Sequence, residues 1–199
     1  MKIFILDTGC NLDLPNIVEK RNFTNSNRFD VSDNIGHGTF ITKVINDICP
    51  NAELYIFKVM DIRKGDFRYS ERALEYIVQN RWSGIVNCSF GSESVDVHLR
   101  DMMKVMNMLG ITVVCAGGNE GDKMIYPASY PETISVGAID EDGNIPKWSN
   151  KDVDIFALGV TDELDGTSVS SAVVSGTLAR FDGDKDKLFE MCDGKKLIF

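Results

Sequence analysis

The 199-residue chain reads as an α/β protein of three layers, a mostly parallel β-sheet flanked by helices on both faces. Three observations lead there. Short apolar runs rich in β-branched residues recur along the chain, amphipathic helical patterns separate them, and turn residues bound each one. Strands that alternate with helices favour parallel pairing, and runs apolar throughout are those of strands covered on both sides.

The strands are taken in order. KIFIL (2–6) opens the chain, followed by ELYIFKV (53–59), GIVNCSF (84–90), ITVVCA (111–116), TISVGAI (133–139) and DVDIFAL (152–158). Helical patterns fall at 38–48, at 70–82, where Ser70 with Glu71 offers a helix start, and at 97–109. In the last of these, Leu99, Met102, Met103, Met106 and Leu109 form one stripe, most simply a core face. A fourth helix begins near Ser168 and runs through VSSAVVSG; built of Val, Ala, Ser and Gly, it belongs inside the protein. There are no repeats or low-complexity tracts, so 1–199 reads as one domain.

Composition narrows the function. An apolar fraction of 43% with 26% charged residues is that of a soluble globular chain, and no apolar run is long enough to span a membrane. The N-terminus lacks the pattern of a signal peptide. The net charge of −9 argues against nucleic acid and mildly favours cationic partners. Five scattered cysteines without a Cys-x-x-Cys pair point to reduced thiols and a cytoplasmic setting.

Ligands of such sheets bind beyond the carboxyl ends of the strands. That edge receives Asp7-Thr8-Gly9, Ser89-Phe90-Gly91 and Gly117-Gly118-Asn119-Glu120-Gly121, while His37 and Ser168 stand where helices begin. Each has a plain structural explanation. Asp7 either caps the Thr8-Gly9 turn or pairs with an imidazole, and His37 either bonds to a neighbour at a helix entry or acts as a base. Ser168 either caps a helix or attacks a carbonyl, whereas Ser170, Ser171 and Ser175 read as small packing residues. His98, at another helix start, reads as a surface or capping residue. Taken together, Asp, His, Ser and Asn at one rim are what acyl transfer requires: a nucleophile, a base, a group that orients the base, and donors for an oxyanion. The amide of Asn119 and the backbone N–H of Ser168 are the candidate donors.

The order Asp, His, Asn, Ser, within ILDTGCNLDLPNI, GHGTF, VVCAGGNEG and DGTSVSSAVVSG, resembles the subtilisin-like serine proteases. NCSFG is similar to that family's substrate-binding strand. The resemblance covers about residues 3–181. It implies a subtilisin-like fold and a serine endopeptidase with Ser168 as nucleophile, His37 as general base and acid, Asp7 as its orienter and Asn119 at the oxyanion. It implies a peptide or protein substrate bound as an extended strand beside Ser89, Phe90 and Gly91, flanked on the other side by the region of Lys64 and Gly65. Ala116, Gly117 and Gly118 would form one wall of the main pocket. Glu120 and Asp33 would lie near the cut bond and favour a basic residue there.

Departures from the family pattern shape the expectation further. Only six residues precede Asp7, which suggests that no pro-segment is present. Asn16 replaces a common calcium-binding aspartate, and 15 residues between His37 and Glu53 are too few for the calcium loop, so no metal or other cofactor is expected. Phe40 replaces a second histidine, and the segment after Ser168 lacks the usual proline and histidine. The reading is a cytoplasmic endopeptidase of restricted substrate, for instance one that trims a leader from a modified precursor. A non-catalytic peptide-binding relative and a peptide ligase or macrocyclase are the alternatives.

Overall fold

In chain order the computed structural model comprises β1 (Lys2–Asp7), β2 (Ile17–Asn22), α1 (His37–Ile48), β3 (Glu53–Lys58), α2 (Phe67–Gln79), β4 (Ile85–Cys88) and α3 (Val97–Met108). Then come β5 (Thr112–Ala116), β6 (Ile134–Ile139), β7 (Ile155–Leu158), α4 (Thr167–Arg180), α5 (Lys185–Glu190), β8 (Cys192–Asp193) and β9 (Lys196–Leu197). The structure describes residues 1–24, 27–61, 67–121, 123 and 125–198.

Among the described residues the strands form one sheet in the order β2-β3-β1-β4-β5-β6-β7-β9-β8, parallel throughout except for the final β8–β9 pair. The period of two in each strand sorts its side chains onto two faces. Ile3 and Ile5 of β1 join Leu54, Ile56, Val114 and Val136 beneath α1 and α4. Phe4 and Leu6 face the other way, joining Phe57, Val86 and Val113 beneath α2 and α3. Both faces are covered, as the apolar runs require. This is the α/β fold expected from the sequence.

Helix α4 is buried along its length; every residue except Ser168 and Arg180 is inaccessible. It packs closely on α1, because a Cβ on Gly176 would lie 3.0 Å from Ile48 Cβ. Within α3, Leu99, Met103 and Met106 are buried, Met102 is half-buried, and Leu109 is exposed just past the helix end.

The structure corrects several boundaries. Strand β2 went unread because IVEKRN carries three consecutive charges; as an edge strand it keeps them in water, where they also deter further pairing. Helix α2 is already formed at Phe67, and Ser70 lies buried inside it. The expected strand at 84–90 leaves the sheet after Cys88, which frees Ser89, Phe90 and Gly91 from pairing with neighbouring strands. The short α5 and the β8–β9 hairpin lack the length on which a periodic pattern depends.

Candidate active site

Asp7 ends β1 with its side chain fully buried. One carboxylate oxygen, Oδ1, accepts the Thr8 N–H at 2.7 Å and faces His37 Nδ1 at 2.7 Å. Turn capping and imidazole pairing, the two roles open to this residue, are thus both taken by one atom. The second oxygen, Oδ2, is buried without a hydrogen-bond partner among the described residues.

His37 is the first residue of α1. Its flanking glycine Gly38 is required by close approach: a Cβ there would lie 2.3 Å from Gly9 O and 3.0 Å from Asp7 Cβ. The Gly38 N–H donates to Thr8 Oγ1 at 2.9 Å, tying the helix start to the end of β1.

Asp33 does not reach toward a substrate, as the resemblance had suggested. Its side chain is buried and both oxygens serve the loop around the histidine. Oδ1 accepts from Thr8 Oγ1 (2.8 Å), Ile35 N (3.1 Å) and Gly36 N (2.8 Å). Oδ2 accepts from Thr39 N (2.8 Å) and Thr39 Oγ1 (2.7 Å). Burial pushes this carboxyl up, but the donors of Thr39, Thr8 and Gly36 outweigh it and hold the group below its ordinary value of 3.8.

Ser168 is the second residue of α4, half-buried, with Gly166 in the cap position, so it is not the N-cap. Its Oγ lies 3.1 Å from Ser89 O. Its backbone N–H, in the first helical turn, has no acceptor among the described residues. Asn119 follows β5 and is oriented by Thr167, whose N–H and hydroxyl both donate to Asn119 Oδ1, at 3.0 and 2.9 Å. The carbonyl end is thereby consumed, and the NH2 end takes no partner among the described residues.

Two of the supposed packing serines also hold the helix in place. Ser171 Oγ donates to Ser168 O at 2.9 Å and lies 3.0 Å from Ser89 Oγ. Ser175 Oγ donates to Asn87 Oδ1 at 2.9 Å, and Asn87 Nδ2 donates to Ser89 Oγ at 2.8 Å. Asn87 was overlooked in the sequence, although a lone amide inside GIVNCSF was the available signal. Ser170 does behave as a packing residue; its Oγ is buried against Gly159, without a hydrogen-bond partner among the described residues.

Two adjoining clefts meet at Ser168 and Asn119. One, of about 260 Å³, is lined by Thr8, His37, Phe90 and Leu164 as well. The other, of about 880 Å³, is lined by Ser89, Phe90, Gly91, Ala116, Gly118 and Glu120. Gly117 does not line it; a Cβ there would point at Val153 Cγ1 (2.8 Å) and Val136 O (2.9 Å), behind the wall. Lys64 and Gly65 lie outside the described residues. His98 is exposed on α3, which Asp96 caps instead.

Asn16, where the family pattern commonly has a calcium-binding aspartate, donates from Nδ2 to Asn46 Oδ1 (3.1 Å), Pro50 O (3.1 Å) and Ala52 O (2.9 Å).

A parallel α/β sheet that gathers a carboxylate-bound imidazole, a helix-start serine and an oriented amide around one cleft defines the class of serine hydrolases. The comparisons narrow it. A model of the Subtilase family matches residues 1–190. The major intracellular serine protease of Bacillus subtilis (strain 168) is 31% identical over 96% of this chain and 70% of its own length. An intracellular serine protease of Paenibacillus polymyxa is 32% identical over 92% of this chain, which spans 61% of that protein. In fold, a cold-adapted subtilisin-like serine proteinase superposes with a TM-score of 0.82 at 22% identity, covering 98% of this chain and 76% of the other. The chain belongs to the Subtilase family, and with it to the serine endopeptidases.

Asp33 generates a prediction. Its folded carboxyl is held low, so its contribution to stability is complete above 3.8 and is lost as pH falls through the folded value. Replacing Asp33 with Asn is expected to cost about 2–4 kcal/mol at pH 7, and the difference from wild type narrows in acid. Urea unfolding at pH 7 and at successively lower pH measures both.

Proposed function

We propose that this chain hydrolyses peptide bonds through an acyl-enzyme on Ser168, with His37 as general base and acid and Asp7 as its orienter. The observation that carries the reading is the 2.7 Å contact between buried Asp7 and half-buried His37 at the rim of a cleft that Ser168 also lines. In the first step Ser168 Oγ bonds to the substrate carbonyl carbon while its proton passes to His37 Nε2. Asn119 Nδ2 and Ser168 N–H donate to the oxyanion. The imidazolium then protonates the departing amine, and water repeats the sequence to release the acid.

Among the described residues the backbone groups of Phe90 and Gly91 take no partner beyond the end of β4, which suits an extended substrate docking as an added strand. Glu120 is exposed at the larger cleft and would draw a basic residue near the cut bond. The two relatives named as intracellular support a role inside the cell. Leader removal from a modified precursor peptide is the narrower form of this reading. Since Asn16 fills the calcium position with an amide, catalysis is proposed to need no calcium.

A fluorophosphonate probe is expected to label the wild-type chain and not Ser168→Ala. Peptide binding without labelling would favour a non-catalytic relative, and a product joined to an amine, seen by mass, would favour a ligase. Asn119→Ala should lower kcat by about 10²–10³, the loss known for such a donor in a subtilisin, with smaller change in KM. Lysine or arginine near the cut bond should raise kcat/KM, and Glu120→Gln should erase that gain; equal rates on neutral peptides would refute the role of Glu120. Chelation with EDTA should leave the rate and the melting temperature unchanged.

A further inference from the structure

One buried charge takes no part in the chemistry described above. Lys58 ends β3 in register with Asp7 across the β1–β3 pair, and only 4% of it is exposed. Ile5 and Ile56, two residues earlier on each strand, both pack beneath α1 and α4, so the period of two turns Asp7 and Lys58 to that same face. The Lys58 ammonium donates to Ser32 O at 2.7 Å and pairs with Asp61 Oδ1 at 2.9 Å. The bond from Lys58 holds the exposed Asp61 carboxyl below its ordinary value of 3.8. Burying an ammonium is costly, and a fifth apolar residue would have continued the run LYIF without that cost.

The two acceptors belong to two segments of the site. Between 27 and 36 the chain forms neither helix nor strand, and its carbonyls are met one by one. Arg28 O accepts from Asn22 N (2.9 Å), Asp30 O from Asn22 Nδ2 (2.7 Å), Val31 O from Cys10 N (3.0 Å) and Asp33 O from Asn11 Nδ2 (2.8 Å). At Ser32 the donor is Lys58, the charged member of the series. The next residue is Asp33, whose five bonds fix the loop that delivers His37. On the other side, Asp61 follows Met60, which lines both clefts beside Ser168. The ammonium therefore ties the histidine loop to the segment that runs along the clefts.

We infer that Lys58 is a positioning residue for His37, acting through Ser32 and Asp33: its ammonium clamps the loop to the exit of β3 and so keeps the imidazole aligned with Asp7 and Ser168. This rests on the catalytic reading above, in which His37 takes the proton of Ser168. Without the clamp Ser32 O loses its donor, and the loop shifts while the sheet and its helices stay packed. A misplacement of about 1 Å at the base costs up to about a hundredfold in rate. The surface that binds substrate is left in place, so the loss belongs to kcat and not to KM. Arginine keeps a cation with donors for both acceptors.

The test uses the full chain, one chromogenic peptide and the variants Lys58→Met, Lys58→Arg and Asp61→Asn, with thermal melts to choose a temperature at which each is folded. Methionine keeps the length of the side chain without its donors, and exposed Asp61 is hydrated once the ammonium is gone. In Lys58→Met kcat should fall about tenfold or more, with KM changed by less than about threefold. Lys58→Arg should stay within about threefold of wild type, and Asp61→Asn should lose about threefold in kcat. The proton between Asp7 and His37, seen by NMR as a downfield resonance, should shift or vanish in Lys58→Met and persist in Lys58→Arg. A folded Lys58→Met with wild-type kcat or an unmoved resonance, or a Lys58→Arg as impaired as the methionine variant, overturns the role of Lys58 and leaves the catalytic reading standing. A wild type that neither takes a fluorophosphonate label nor cleaves any peptide overturns both. If Lys58→Met does not fold, Asp61→Asn decides, and an unaltered kcat there overturns the role.

Discussion

The hydrogen bond between the Asp7 carboxylate and His37 is the contact on which the rest of the site depends. A carboxylate buried in the middle of a parallel sheet is costly unless it is met by donors. Here the donors must come from the turn that follows β1 and from the first residue of α1, so the chain between them has to return closely. Gly38 permits the return by letting α1 touch the backbone of Gly9. Thr8 and Asp33 secure it: the threonine hydroxyl accepts from the helix start and donates to Asp33, whose five bonds close the loop from 33 to 39.

The side of the site that carries Ser168 is fixed by different means. Helix α4 is enclosed, and of its residues only Ser168 and Arg180 escape full burial. An apolar helix alone could slide in its groove, since dispersion and burial are not directional. The seam of Asn87, Ser89, Ser171 and Ser175 supplies direction, because hydrogen bonds across β4 and α4 form at one register only. Thr167 extends the same logic to β5 by orienting Asn119. Three strands and two helix starts thus meet at one rim, each held by bonds to its neighbours.

The clefts show how little of a pocket's shape is set by the residues nearest the chemistry. Gly91 and Gly118 contribute bare backbone to the larger cleft, and Ile125, close to Gly118 in the chain but far from Gly91, packs against both.

How far the sequence reaches can be judged residue by residue. Apolar runs bounded by turns, and helical stripes between them, were enough to read an α/β protein with a parallel sheet, because burial on both faces leaves a plain mark on each strand. The same logic failed for β2, whose charges suit an edge and whose pairing is visible only once β3 lies beside it. At the site, residue types and order pointed to Asp7, His37, Asn119 and Ser168 as candidates, and the last three line one cleft, with Asp7 bonded to His37. The inward turn of Asp33, the backward face of Gly117, the bonding roles of Ser171 and Ser175, and the position of Ile125 between two glycines were decided only by tertiary structure. Each depends on which distant atoms come within about 3 Å, and distance between remote segments is a property of the packed chain, carried by no local pattern.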